Sequence, residues 1–561
     1  MQAISVVLSM LAAVVLSGIV VRALPLGIPT PLVQIGLGAV IAAFSNYEVR
    51  LDPEIFFLLF LPPLLFLDGW RIPKEGLLRD KGVILELSLG LVFFTVLGIG
   101  YFVHWMIPAM PLPVAFALAA IVSPTDPIAV SAITSRVPMP RRMMHVLEGE
   151  SLLNDASGLV CFRFAVAAAL TGTFSLVGAA VTFLQLALVG IAAGVVLTFA
   201  VMYVKEWLSR RLGEESGSHV LISLLIPFLA YEVAEHLGGS GILAAVAAGI
   251  TMSYMELAGR TGAPTRVQRT AVWDTVQFAL NGIMFVLLGE QLPAIFAGAV
   301  DAVRESNHEN PLWLAVYVLA INFGLAALRF AWVWVSGRFA FWLAKRRGEP
   351  MAEKPSLRMI AVMSVAGVRG AITLAGVLTL PLVLGDGTPF PARDLAIFLA
   401  AGVIILSLTA SSLLLPPLLR GLGVPAEPAE EAELELARVK AAEAAIPAVE
   451  AALHQMAQGH ADADLYAEAG ARVMELYRRR IDGSSGGESA ERLRRADWIE
   501  ARLRVAALCA ERDTLFALAR AHEISDQTAR KLVREIDLQE ERLRGAELAA
   551  IRQHGRQHAD S

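Results

Sequence analysis

Gly149–Glu150–Ser151–Leu152–Leu153–Asn154–Asp155 lies inside a long apolar run, residues 145 to 170. An ionised carboxylate in hydrocarbon costs roughly 3 kcal/mol even on lenient scales, so two of them with an amide between need a partner or a use. On a helix, Ser151 and Asp155 are four apart and share a face, and Glu150 and Asn154 form a second such pair beside them. A hydroxyl, an amide oxygen and carboxylates are hard oxygen ligands, suited to a small hydrated cation or a proton. The competing reading is a buried polar network with only a structural role. A second constellation, in two other spans, favours the functional reading.

Outward from this run the chain stays apolar. It has 561 residues, 56% of them hydrophobic, with a mean hydropathy of +0.60. Residues 1 to about 420 read as repeated apolar runs of about 20 residues, each long enough to cross a bilayer. That composition excludes a soluble domain. The remaining ~140 residues are charged. A net charge of −5 implies no nucleic-acid partner. Cys161 sits in an apolar run and Cys509 in the charged tail, so they form neither a disulfide framework nor a zinc site. Residues 1–24 lack a basic leading region and read as the first span rather than a cleaved signal peptide.

Spans are expected near 3–21, 28–44, 53–69, 82–104, 112–134, 145–170, 176–204, 219–237, 239–257, 271–290, 311–337, 358–383 and 395–419, about 13 in all. The loops supply an independent check. After odd-numbered spans they carry Arg22; Arg71, Lys74, Arg79, Lys81; Arg136, Arg141, Arg142; Lys205, Arg210, Arg211; Arg260, Arg266, Arg269; and Arg338, Lys345, Arg346, Arg347, Lys354, Arg358. After even-numbered spans only Arg50, Arg304 and Arg393 occur. The excess of basic residues marks the cytoplasmic side, which puts the N-terminus outside and the charged tail inside.

The second constellation is a pair of broken spans. Span 5 reads Ala120–Ile121–Val122–Ser123–Pro124–Thr125–Asp126–Pro127–Ile128. Each proline removes a backbone donor and clashes with the preceding turn, so the helix is expected to break around Thr125 and Asp126. Span 12 reads Ala366–Gly367–Val368–Arg369–Gly370–Ala371, with glycines around a mid-span arginine. Interrupted helices at corresponding positions point to a transporter built from inverted repeats, here about 1–170 and 219–420 with span 7 as linker. Crossed breaks bring together four half-helix ends, with roughly +0.5 charge at each N-terminus and −0.5 at each C-terminus. Asp126 is then expected to face the positive ends and Arg369 the negative ones. The alternative for Arg369, a snorkelling surface arginine, fits poorly with its place in mid-span. Arg329 in span 11 needs a carboxylate partner, and Glu150 is the candidate. Arg163 in span 6 is a further intramembrane charge with no evident partner.

These residues carry a resemblance. Leu61–Pro62–Pro63–Leu64–Leu65, Ser123–Pro124–Thr125–Asp126–Pro127, the Glu150–Asp155 stretch, Arg329 and Gly367–Val368–Arg369–Gly370–Ala371 occur in the order seen in the monovalent cation:proton antiporter-1 family. The chain resembles its bacterial NhaP-type sodium/proton antiporters and the related animal exchangers, over residues 1 to about 420. The resemblance implies an all-α polytopic fold of about 13 helices, with a dimerisation domain, a six-helix ion-binding core and a homodimeric assembly. It implies that Asp155 carries Na+ and the proton in turn, that Ser151, Thr125 and Asp126 help bind, and that Glu150 pairs with Arg329. Asn154, where a second acid would lie, marks the electroneutral members. In one respect the chain departs from the family. Many bacterial relatives have an acid directly after the Leu–Pro–Pro–x–x–Phe run, whereas here Leu67 sits there and Asp68 follows. One residue turns a side chain about 100° round a helix, which puts a direct role for Asp68 in question.

The tail, 425–561, has helical composition over 430–457, 460–480, 488–522 and 526–552, with Gly483–Ser484–Ser485–Gly486–Gly487 as a flexible break. No glycine-rich nucleotide loop follows a strand, and His454, His460, His522, His554 and His558 have no metal spacing. A cytosolic helical domain aiding assembly, or a regulatory one, is expected. The function expected is a secondary antiporter of the cell membrane, with no cofactor, exchanging Na+, Li+ or K+ for H+ by competition at Asp155. Two rival readings fit less well. An intramembrane aspartyl protease using Asp126 and Asp155 lacks the Tyr–Asp and Gly–x–Gly–Asp contexts. A cation channel fits poorly with broken helices at mid-depth.

Overall fold

The computed structural model describes residues 2–23, 28–44, 53–134, 137, 139–172, 176–212, 216–257, 263–305, 312–347, 356–384, 387–420, 422, 428–457, 463–484, 488–521 and 523–557. Arg50, Arg136, Arg260, Lys354, Pro425 and residues 485–487 of the expected tail break lie outside them. Within the described residues the chain is helical, with a single isolated β-bridge, Val383 to Pro389. It divides into two compact units, Met1–Val424 and Pro425–Ser561.

The first unit opens with α1 (Gln2–Ala23), α2 (Thr30–Phe44), α3 (Pro53–Arg71) and the short α4 (Lys74–Arg79). The next crossing is α5 (Lys81–Leu85) and α6 (Val92–Met106), joined by a π-helical turn, Glu86–Leu91. Periodicity alone gives no warning of that turn, which inserts one residue per turn without changing hydropathy. Span 5 is two pieces, α7 (Leu112–Val122) and α8 (Pro127–Thr134), and the span that holds Asp155 is α9 (Arg141–Thr171). There follow α10 (Leu176–Leu212), α11 (Ser216–His236), α12 (Gly241–Leu257), α13 (Ala263–Glu305) and α14 (Leu312–Arg347). Span 12 is again two pieces, α15 (Leu357–Val365) and α16 (Ala371–Leu378), before α17 (Arg393–Arg420). Among the described residues, eight helices are long and apolar enough to cross a membrane, and Thr30–Phe44, Leu112–Val122 and Gly241–Glu256 are shorter apolar helices.

Two breaks follow local chemistry. Pro127 occupies the first position of α8, where its missing N–H costs nothing. Gly370, in an extended conformation, precedes α16 as its N-cap. Prolines elsewhere do not interrupt: Pro62 and Pro63 lie inside α3, and Pro227 and Pro293 inside α11 and α13. Long helices tolerate such residues where neighbours satisfy the freed carbonyls.

Packing in lipid depends on close backbone approach more than on hydrophobic drive. α3 and α12 approach through reciprocal glycines: a Cβ on Gly249 would overlap Phe66 O, and one on Gly69 would lie 2.5 Å from Val246 O. α2 packs along α13, and α10 along α12. α7 packs on both α9 and α6, which carries the first broken span to the side of the Asp155 helix. The buried apolar core runs through these contacts, with Leu61, Leu118, Ile121 and Ile321 almost fully enclosed.

The second unit consists of α18 (Pro428–Ala457), α19 (Ala463–Ser484), α20 (Glu488–Arg520) and α21 (Asp526–Gln557). α18 packs on α19 and α20 on α21. α19 runs through Gly483 and Ser484, so the helix reaches further into the glycine–serine stretch than composition suggests. Between α20 and α21, Arg512 bridges Glu540 and, at 2.9 Å, Asp537.

Candidate ion-binding site

The two broken helices meet at their breaks. The Asp126 N–H donates to Val368 O at 2.7 Å, a backbone bond between the two unwound segments. Arg369 lies at the same crossing, 5% exposed. Its Nε donates to Val122 O at 2.9 Å, the last residue of α7, and its Nη1 donates to Gly367 O, just beyond α15. The guanidinium therefore sits against the C-terminal ends of both leading half-helices, where the helix dipoles are negative. Its own N–H donates to Ser407 Oγ of α17 at 3.2 Å. Asp126 lies at the opposite pair of ends. It directly precedes α8, and its carboxylate packs so closely on Gly370, the N-cap of α16, that any Cβ there would overlap it.

α9 passes this crossing. A Cβ on Gly158 would lie 2.8 Å from Ala120 O and would also press on Pro124, so the missing side chain admits the α7 break. One to two turns earlier come the polar residues. Glu150 is 1% exposed and Arg329 of α14 2% exposed. They form a two-pronged pair: Arg329 Nη1 and Nη2 donate to Glu150 Oε1 and Oε2 at 2.5 and 2.6 Å. Arg329 Nε donates in turn to Met363 O of α15 at 2.9 Å. Thr125 Oγ1 donates to Glu150 Oε1 at 3.2 Å and accepts from Asn154 Nδ2 at 3.1 Å. A continuous polar chain, Asn154–Thr125–Glu150–Arg329–Met363, thus ties both broken spans to α9 and α14.

Asp155 stands apart from that chain. It is 6% exposed, and among the described residues no hydrogen bond or ion pair holds its carboxylate. The Asn154 Oδ1 atom is also buried, with no partner among the described residues. A carboxylate withdrawn from water with no partner is costly unless a cation or a proton compensates it.

Asp68 and Ser151 line one cavity of about 430 Å³, together with Arg71, His145, Glu148 and Gln277. Asp68 comes from α3, so the one-residue displacement in the Leu–Pro–Pro stretch still leaves this carboxylate facing the space beside Ser151. Arg163 lies away from the crossing. Its side chain is 47% exposed and lies 3.5 Å from Glu235 of α11, a partner that no sequence pattern indicates. Sequence reasoning also missed Ser407, the Met363 carbonyl and Glu148. The first two act through hydrogen bonds that side-chain type does not predict. Glu148 sits three residues before Ser151 and was legible as an acid on the same helical stripe.

The sequence and the fold both have known relatives. A family model for the transmembrane sodium/hydrogen exchangers matches residues 10–421. The chain is 41% identical over 539 residues to the uncharacterised Na+/H+ exchanger YjcE of Escherichia coli K12, covering 95% of this chain and 97% of that one. It is 46% identical over 415 residues to the sodium, potassium, lithium and rubidium/H+ antiporter of Bacillus pumilus, covering 73% of this chain and 60% of the relative. The fold matches the sodium proton antiporter MjNhaP1 of Methanocaldococcus jannaschii, with a TM-score of 0.55 at 18% identity, over 76% of this chain and all of that one. The protease alternative falls with these matches, which are to transporters and not to enzymes. The chain is a multi-pass membrane protein and belongs to the sodium/hydrogen exchanger family.

Proposed function

We propose that the protein exchanges monovalent cations for protons at Asp155, one for one, by alternating access. The observation that carries this reading is the contrast between two neighbouring acids. Glu150, 1% exposed, is held by Arg329 and Thr125, while Asp155, 6% exposed, has no hydrogen-bond or ion-pair partner among the described residues. An acid with a fixed counter-ion holds structure; an acid without one is available for two competing ligands. In this reading Ser151, Thr125, Asn154 and Asp126 supply further oxygen ligands to the cation, and Glu150 and Arg329 brace the two broken spans. Arg369 neutralises the C-terminal ends at the crossing.

The Bacillus relatives carry Na+, K+, Li+ and Rb+ in their names, so these four are the substrates to test. The cavity that Asp68 and Ser151 line is also lined by Arg71, and by the distribution of basic loops that side is cytoplasmic. The site is then inward-facing, with the N-terminus outside and the tail inside. The transport unit is 1–420, about 13 crossings in two inverted repeats, working as a homodimer, and the tail 425–561 serves assembly or regulation. The deciding experiment is exchange in proteoliposomes, read by a pH dye, against gradients of each cation. Saturating, proton-coupled flux is expected. Non-saturating flux indifferent to an imposed pH gradient would make the protein a channel instead.

A further inference from the structure

The apolar stretches of α10 and α14 run over Val181–Arg211 and Leu312–Phe339. Each ends in a tryptophan with an arginine four residues on. The Arg211 guanidinium lies over the Trp207 ring, 4.3 Å from its centroid, and that of Arg338 over Trp334 at 4.8 Å. α14 repeats the arrangement beyond its apolar stretch, where Arg346 lies over Trp342 at 3.9 Å. Residues four apart are one turn apart and share a helix face, so each ring lies directly beneath its arginine.

These arginines lack acids. Among the described residues Arg211, Arg338 and Arg346 make no hydrogen bond and no ion pair. The neighbouring Arg210 has the commoner arrangement, paired with Glu206 one turn earlier at 2.5 Å. A ring beneath a guanidinium attracts it without cancelling its charge, and leaves the fork of N–H groups free for an oxyanion. The rings are open as well. Trp334, Phe339 and Trp342 are all exposed, and Phe339 stacks on Trp342 with centroids 5.8 Å apart.

On α14 the groups form one surface. Phe339, Trp342 and Arg346 fall at i, i+3 and i+7 and share a stripe, with Trp334 and Arg338 beside it. Arg338 and Arg346 stand about 12 Å apart along the axis, one at the edge of the apolar stretch and one two turns further out. Aromatic rings with a polar edge collect where hydrocarbon meets water, and anionic lipids attract basic side chains at the same level. Trp334 and Arg338 still belong to the apolar stretch, where the surrounding solvent is lipid. A soluble acidic protein reaches Arg346 but not these two.

We propose that this end of α14 is a docking surface for anionic phospholipids. Arg338 and Arg346 each take a headgroup phosphate, and Trp334, Phe339 and Trp342 lie along the glycerol and the upper acyl chains. The guanidinium fork meets a phosphate with two parallel hydrogen bonds, which a point charge cannot do. The same helix carries Arg329, which holds Glu150. Lipid bound at its end therefore fixes the depth of that buried pair in the bilayer.

The test is retention of phosphatidylglycerol by the delipidated full chain, read by native mass spectrometry, with phosphatidylcholine as the net-neutral reference. The wild type is expected to prefer phosphatidylglycerol at least about fivefold. Arg338→Gln with Arg346→Gln should lose that preference. Arg338→Lys with Arg346→Lys should keep part of it, because the charge stays and the fork is lost. Phosphatidylglycerol should raise the melting temperature of the wild type in detergent and not that of the Gln double variant. Arg502→Gln removes a stack of the same kind from the charged tail, over Trp498 at 5.2 Å, and should leave the preference intact. Equal retention of both lipids by the wild type, or a preference unchanged in the Gln double variant, overturns the docking surface, as does a preference lost in Arg502→Gln. If the double variant does not fold, Arg346→Gln alone should lower the preference at least about twofold, and no change overturns the surface. None of these readouts requires ion exchange, so they stand apart from the exchange reading.

Discussion

At the scale of single residues, the site is defined by which acids are matched. Asp155→Asn removes a buried carboxylate that no hydrogen bond or ion pair holds among the described residues, and Asn cannot take up and release a proton. It is expected to abolish exchange in liposomes while the purified protein still melts cooperatively. Near-wild-type exchange would reassign the carrier. Glu150→Gln and Arg329→Gln each strand a buried charge, and each is expected to cost about 3–5 kcal/mol of stability. The double variant should recover part of that loss, as read by thermal unfolding in detergent. Strict additivity would mean that the pair in contact is not coupled. The hydropathy of the two spans makes some partner for each charge necessary. The choice of each other across 179 residues is a matter of packing.

At the scale of elements, the crossing depends on the absence of side chains where backbones and carboxylates touch. Gly370→Ala places a methyl group on the Asp126 carboxylate. Overpacking of this kind costs about 1–3 kcal/mol and here also displaces a charge from the α16 N-terminus. Exchange is expected to fall at least about tenfold with the helices intact by circular dichroism. Gly36→Ala, whose methyl group would meet nothing within 4 Å, is the matched control and should leave rate and melting point unchanged. Prolines and glycines in sequence announced both breaks because their effect is on the local backbone. The π turn at Glu86–Leu91 was not announced. It lies where α5 and α6 pack on α9 with Ile84 against Gly149 and where Trp332 of α14 faces Gly90, contacts between distant segments.

At the scale of the whole molecule, the balance of charges sets the coupling. On the proposed reading, Asp126 compensates the positive half-helix ends, Glu150 compensates Arg329, and Asp155 trades one proton for one monovalent cation. The cycle then moves no net charge. Membrane potential, worth about 2.3 kcal/mol per charge per 100 mV, should neither drive nor oppose it. The check is a potassium–valinomycin potential imposed at fixed pH and Na+ gradients, once K+ has been shown not to be carried. A rate that follows the sign of the potential would mean that a second proton travels, with Asp126 as its first candidate carrier.

The sequence by itself determined the apolar segments, the two interruptions and the short roster of charges that hydrocarbon makes expensive. Each of these is a local property: hydropathy, a missing N–H, a missing Cβ, or a charge in the wrong solvent. Only the tertiary structure decided which of those charges are neutralised. Glu150 and Arg329, Arg163 and Glu235, and Arg71 and Asp274 meet because distant helices pack side by side. Among the described residues, the Asp155 carboxylate is left without a partner by the same packing. A residue's lack of a partner is a fact about everything around it, and no window along the chain contains that information.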